Sequence, residues 1–79
     1  MDVELFMDRF ADAIEDEGTV RLDPGTPLEA LENWDSLAAL STIAMIFSEY
    51  GVEVSGRELK SCEKIGDIIE VVIQKADGQ

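Results

Sequence analysis

The sequence contains no histidine and only one cysteine, Cys62. Without histidine the chain lacks the side chain that most readily exchanges a proton near neutral pH, and it has no Cys/His spacing typical of a metal site. A single cysteine cannot form an internal disulfide. A glycine-rich phosphate loop is also missing, so a self-sufficient phosphoryl or acyl transferase is not expected. An enzyme that relies on carboxylates is a remote alternative, because nothing marks a pair of acids as buried.

Basic residues are scarce as well, with 6 lysines and arginines against 18 acidic residues and a net charge of −12. This charge disfavours nucleic acid as a partner and favours basic patches on other proteins. No apolar run approaches membrane-spanning length, and the first ten residues lack the pattern of a signal peptide. We therefore expect a cytoplasmic protein without membrane insertion. We also expect it to be a monomer whose 79 residues form one domain, 1–79.

The spacing of apolar residues predicts three longer helices, at 2–17, 36–50 and 65–75. Ser55 and Glu58 have the spacing of a capping box and predict a brief helix that ends near Lys60. Both prolines and Gly25 lie within 19–34, which predicts an ordered loop with one short turn at 27–31. The expected fold class is all-α: a small four-helix bundle, three helices longer and one short, with a long ordered loop between helix 1 and helix 2.

Several single residues are predicted to shape the backbone or to pack. Gly18 and Gly51 follow the first two long helices and are expected to end them. Asp35 is expected to cap the second long helix through one side-chain oxygen, since position 38 is alanine and no capping box can form. Trp34 is interpreted first as a packing residue, with a partner-facing role left open. Cys62 is interpreted as a small buried hydrophobe.

Ser36 allows two interpretations when the residues around it are considered alone. It could be part of a simple helix cap, in which case the protein would be an acidic helical adaptor that binds basic proteins. It could also be a serine that is exposed so that another protein can modify it. No base adjoins it in sequence, so it is a poor nucleophile by itself and would need an external enzyme.

Three motifs occur in a fixed order along the chain. They are Asp35-Ser36-Leu37, then Tyr50-Gly51-Val52-Glu53-Val54, then Ile65-Gly66-Asp67-Ile68. In this order and at this spacing the chain resembles the acyl carrier proteins from about residue 3 to residue 75. Gly51 and Gly66 in these motifs are interpreted as backbone devices rather than site residues.

The resemblance implies a four-helix bundle that carries 4′-phosphopantetheine on Ser36, flanked by Asp35 and Leu37. It implies that a phosphopantetheinyl transferase with Mg²⁺ attaches this group from coenzyme A, and that acyl intermediates are then held as thioesters. The chain itself would have no catalytic residue. Its partners would be the transferase and acyl-loading and acyl-using enzymes with basic docking patches.

Two further sets of residues are predicted around this site. The expected partner-binding residues are Trp34, Asp35, Leu37, Ala38, Ser41, Met45 and Glu49. The expected lining of an acyl cavity is Leu40, Ile43, Ile46, Phe47, Ile65 and Ile68.

The second long helix departs from the usual pattern of the family. Carriers of primary fatty-acid synthesis usually have several glutamates there, whereas Glu49 is the only charged residue of 36–50. We therefore expect a specialised carrier that serves a dedicated fatty-acid, polyketide or related pathway. An aminoacyl or peptidyl carrier is a lesser alternative, because "ENWDSL" lacks the glycine usual before the neighbour of the modified serine.

Overall fold

The computed structural model describes residues 2–14, 22–31 and 34–77. The described residues form four α-helices, α1 (Val3–Ala13), α2 (Ser36–Tyr50), α3 (Gly56–Lys60) and α4 (Ile65–Asp77). A short 3-10 turn at Leu28–Ala30 lies in the loop between α1 and α2, inside the predicted turn at 27–31. The predicted all-α fold, with three longer helices and one short, is confirmed. The predicted end of the first helix at residues 17 and 18 lies outside the described ranges.

The two ends of α2 are set by single residues. A carboxylate oxygen of Asp35 accepts a hydrogen bond from the backbone N–H of Ala38 at 2.8 Å, which confirms the predicted N-terminal cap. Gly51 ends the helix with a φ of 67°, and its N–H donates to the carbonyl of Phe47 at 3.0 Å. This left-handed conformation suits glycine, so the predicted stop is also confirmed.

The short helix α3 is fixed by its cap and by an ion pair with α4. The Ser55 hydroxyl accepts from the N–H of Glu58, and the Glu58 carboxylate accepts from the N–H of Ser55, both at 3.1 Å. This is the predicted capping box. The other Glu58 oxygen lies 3.1 Å from the ammonium of Lys75. The hydrogen bond from Ser55 N–H, followed by that from Lys75, lowers the pKa of Glu58.

The loop before α2 is attached to the start of α4 by backbone hydrogen bonds. The N–H of Gly66 donates to the carbonyl of Pro24 at 2.8 Å, and the N–H of Ile65 donates to the carbonyl of Thr26 at 3.1 Å. A Cβ on Gly66 would lie 2.9 Å from the Pro24 oxygen. The loop and α4 therefore approach more closely than any residue with a side chain would allow.

All four helices contribute to one hydrophobic core. The ring of Phe10 packs against Trp34 with centroids 5.8 Å apart, and the ring of Phe6 packs against Tyr50 at the same distance. Arg9 adds a polar link between α1 and α2, since it lies 3.3 Å from the carboxylate of Glu49. The largest fully buried apolar side chains are Phe6, Phe10, Ile46, Val52, Leu59, Ile65, Ile68 and Val72. Among the described residues, no helix is both long enough and apolar enough to cross a membrane.

Candidate functional site

Ser36 is the first residue of α2 and its side chain is exposed. Asp35 beside it uses one carboxylate oxygen for the cap on Ala38. Within the part of the chain that the structure describes, the Ser36 hydroxyl forms no hydrogen bond. Among the described residues no base is hydrogen-bonded to this hydroxyl, which is open to an enzyme that approaches from solvent.

A groove of about 460 Å³ lies directly beside Ser36, between α2 and α3. We call it the serine groove. Its walls are largely apolar, and among the described residues that line it Asp35 and Lys60 are the two charged ones. The groove is lined by Trp34, Asp35, Ser36, Ala39, Leu40, Ile43, Gly56, Leu59 and Lys60.

A second groove of about 560 Å³ continues along α2, and we call it the distal groove. It shares Leu40 and Ile43 with the serine groove, so the two follow one another along the same helix. The distal groove is more polar at the end formed by Ser55, Glu58 and Lys75. Together the two grooves give a mainly apolar path that begins at the Ser36 hydroxyl.

The residues predicted to line an acyl cavity divide into two groups. Leu40, Ile43 and Phe47 line these grooves, and Leu40 and Phe47 are 63% and 56% exposed. The other three residues are 0% exposed and belong to the core instead, where they line neither groove; they are Ile46, Ile65 and Ile68. Lining of an acyl cavity by these three buried residues stays a prediction. Apolar spacing identifies these side chains as non-polar but does not separate the core-facing row of a helix from the groove-facing row.

The predicted partner-binding residues also divide by exposure. Leu37 is 72% exposed and Asp35 and Glu49 are exposed, whereas Trp34, Ser41 and Met45 are half-buried. Ala38 is only 6% exposed, so it offers little side-chain surface to a partner, and its predicted contact stays a prediction. The reason is its place on α2: Ala38, Thr42 and Ile46 follow one another at four-residue spacing and form the buried row of the helix.

Sequence reasoning missed the wall that α3 contributes to the serine groove. Gly56, Leu59 and Lys60 lie about twenty residues after Ser36, and only the packing of α3 against α2 brings them beside it. The capping box located α3 in the sequence but not its position relative to Ser36. Lys60 had one available signal, since it is a basic residue in the last turn of a helix in an acidic chain.

Two further titratable groups, Cys62 and Asp67, have pKa values shifted by their surroundings. Burial, with the nearby carboxylates of Asp67 and Glu58, raises the pKa of the Cys62 thiol, which donates to the carbonyl of Glu58 at 3.3 Å. Cys62 is half-buried, less than predicted, and a raised pKa keeps it a thiol rather than a nucleophilic thiolate. The hydrogen bond from Glu63 N–H, followed by that from Lys64 N–H, lowers the pKa of Asp67.

Across residues 2–14, 22–31 and 34–77, no cluster of acidic, Cys or His side chains could hold a metal.

The described residues therefore place an exposed serine at the start of a helix, beside a largely apolar groove. The model of the family described as "Phosphopantetheine attachment site" matches residues 4–72. The chain belongs to this family of phosphopantetheine-bearing carrier proteins.

The fold gives the same result. The solution NMR structure of the holo acyl carrier protein from Geobacter metallireducens matches with a TM-score of 0.78 at 21% identity, and the match covers 96% of this chain and 86% of that chain. At this identity the likeness shows the fold. No curated protein matches the chain in sequence.

The family confirms two predictions made from the sequence. The cofactor is covalently attached 4′-phosphopantetheine, and the chain is a carrier rather than an enzyme. The residues fit this group, because an exposed hydroxyl and an apolar groove adjoin each other at Ser36. When attached, the group supplies a terminal thiol that can hold a cargo as a thioester.

Proposed function

We propose that Ser36 is the attachment point and that the protein carries acyl intermediates as thioesters between enzymes. The observation that supports this assignment most strongly is the exposure of Ser36 in the first turn of α2, directly beside the serine groove. The apolar walls of the groove suit a hydrocarbon cargo, since each buried methylene contributes about 0.8 kcal/mol. Asp35 and Leu37 complete the site: Asp35 holds the helix start in place, and Leu37 is exposed to the incoming enzyme.

Loading requires a phosphopantetheinyl transferase, as in the family that the chain resembles. The Ser36 oxygen forms a new bond to phosphorus of coenzyme A while the phosphoanhydride bond breaks and adenosine 3′,5′-bisphosphate leaves. The serine proton goes to a base of the transferase, because this chain contains no histidine to receive it. The Mg²⁺ of the reaction belongs to the transferase complex.

The partner enzymes belong, in our proposal, to a specialised fatty-acid, polyketide or related pathway. Glu49, the only charged residue of α2, is already paired with Arg9 at 3.3 Å. Three large apolar side chains of α2, Leu37, Leu40 and Phe47, are exposed instead. Acyl-loading and acyl-using enzymes would therefore meet an apolar helix, while basic patches on them would meet the exposed acids of α1.

Further proposals concern the domain, the oligomeric state and the location of the protein. We propose a single carrier domain over 1–79 that acts as a monomer in the cytoplasm without inserting into membranes. A net charge of −12 supports this by opposing self-association and binding to anionic membranes or nucleic acid. Sedimentation of the loaded protein tests whether it is a monomer in solution.

Intact mass spectrometry tests the attachment site. The protein is incubated with coenzyme A, Mg²⁺ and a broad-specificity transferase, and it should gain the mass of one phosphopantetheinyl group. Ser36→Ala should gain nothing, whereas the matched control Ser48→Ala, an exposed serine on the same helix, should load like the parent. Loading of Ser36→Ala would refute the assignment. No loading of the parent, when a known carrier loads beside it, would favour the acidic adaptor.

A further inference from the structure

Lys60, the last residue of α3, lines the serine groove together with Ser36. Its side chain is exposed and forms no ion pair with any residue in the described ranges. We propose that Lys60 is the counter-ion of the phosphodiester on loaded Ser36, and that it holds the first part of the arm at the mouth of this groove. The proposal rests on Ser36 as the attachment point.

The charges around the groove leave Lys60 available for this role. Arg9 is engaged with Glu49 at 3.3 Å and Lys75 with Glu58 at 3.1 Å. Among the described residues that line the serine groove, Lys60 is the only cation.

Loading adds a negative charge at this place to a chain that already has a net charge of −12. Asp35, the other charged residue of the lining, would repel the new phosphate. A lysine on the opposite wall offsets that repulsion.

Carboxylates on the other side of Lys60 are the competing partners. Lys60 also lines a third pocket, of about 670 Å³, together with Glu29 and Glu63, yet neither carboxylate forms an ion pair with it. The phosphodiester has an advantage over both, because the covalent bond to Ser36 keeps it permanently near the groove and gives it a high effective concentration. Charge-assisted hydrogen bonds from an ammonium to phosphate oxygens are also among the stronger ones.

The pairing would give the arm a direction. With its phosphate held between Ser36 and Lys60, the arm would leave the helix over the apolar wall formed by Leu40 and Leu59. Without the pairing to Lys60, the phosphate would remain in the solvent. Lys60 is therefore a positioning residue for the cofactor, and it requires no contact with a partner enzyme.

Amine labelling of the unmodified and loaded forms of the parent protein tests the pairing. Both forms are treated with a trace of acetic anhydride, and acetylation is measured at each lysine by peptide mass. A phosphate oxygen about 3 Å from the amine, as in a charge-assisted hydrogen bond, should slow acetylation of Lys60 roughly ten-fold at low salt. Physiological salt should reduce this effect to about five-fold. Lys64 is exposed and lines none of the described grooves, so its rate should stay the same.

Equal Lys60 labelling in both forms would overturn the proposal. Fixed neighbours such as Glu29 and Glu63 act on both forms, so their effect cancels in the comparison. The intact mass of the loaded sample is measured first, and a sample without the added mass would count against Ser36 loading rather than against the pairing.

Phosphorus NMR of loaded variants gives an independent readout. Lys60→Gln should displace the ³¹P resonance and narrow it, because the phosphate would then move more freely. The matched control Lys64→Gln should leave both its position and its width as in the parent. Equal ³¹P spectra for the two variants would contradict the proposal.

Discussion

Replacing Gly66 with alanine should destabilise the protein far more than the same change at Gly56. A Cβ at position 66 would lie 2.9 Å from the Pro24 carbonyl oxygen, which is backbone and cannot rotate away. The same carbonyl accepts the 2.8 Å hydrogen bond from the Gly66 N–H, so relief of the contact would lengthen that bond. Position 56 likewise lies in the first turn of a helix, but nothing lies within 4 Å of its added Cβ.

The expected magnitude follows from three terms. Overpacking costs about 1–3 kcal/mol, and a weakened hydrogen bond adds roughly 0.5–1.5 kcal/mol. Against this, alanine gains up to about 1 kcal/mol over glycine in a helix. With the full helix gain subtracted, the net loss for Gly66→Ala is about 0.5–3.5 kcal/mol, which in a domain of this size lowers the melting temperature by about 2–28 °C.

Thermal and urea unfolding followed by circular dichroism measure the difference between the two variants. Gly56→Ala should melt at or slightly above the parent temperature, because only the helix-propensity gain applies. If Gly66→Ala were as stable as Gly56→Ala, the close approach of the loop to α4 would be refuted, and a glycine would not be needed at position 66.

Other predictions concern the site and its surroundings. Asp35→Ala should lower the free energy of unfolding by about 1 kcal/mol, because the cap hydrogen bond is lost. Asp35→Asn should keep most of the stabilisation by the cap, because its amide oxygen can still accept this hydrogen bond. Equal losses in the two variants would show that the charge matters rather than the hydrogen bond. The pKa of Glu58 is lowered in the folded protein, so the ionised carboxylate contributes its full stabilisation above the ordinary pKa of 4.5. This stabilisation is lost as the pH falls through the lower folded pKa. The melting temperatures of the parent and of Glu58→Gln should therefore converge in acid. No convergence would refute the linkage. Leu37→Ala should reduce kcat/KM of the transferase about tenfold. Its melting temperature should change little, because Leu37 is 72% exposed. The control Leu5→Ala on α1 should leave kcat/KM unchanged. Equal effects of the two leucine variants would argue against docking at α2.

The fold was predictable because local signals agree with one another. Asp35, the Ser55–Glu58 pair and Gly51 each fix a helix end through neighbours in sequence, and each behaves as predicted. The apolar spacing located the three long helices, since a buried stripe at helical period needs no knowledge of its partner.

The lining of the site was only partly predictable, for a geometric reason. Ile46 and Phe47 are adjacent in sequence and both apolar, yet the first is in the core and the second is 56% exposed on the distal groove. Which of them faces inward depends on where α1, α3 and α4 pack around α2. Lys60 shows the same limit, because its place opposite Ser36 arises from tertiary packing alone.

The central claim is that Ser36 carries the phosphopantetheine, and fragment mass spectrometry of the loaded protein tests it most directly. Cleavage after Glu32 and Glu49 releases a peptide, 33–49, that contains four hydroxyl residues: Ser36, Ser41, Thr42 and Ser48. Fragmentation of this peptide should place the whole added mass between Asp35 and Leu37. The added mass on Ser41, Thr42 or Ser48, or on any residue outside this peptide, would contradict the account.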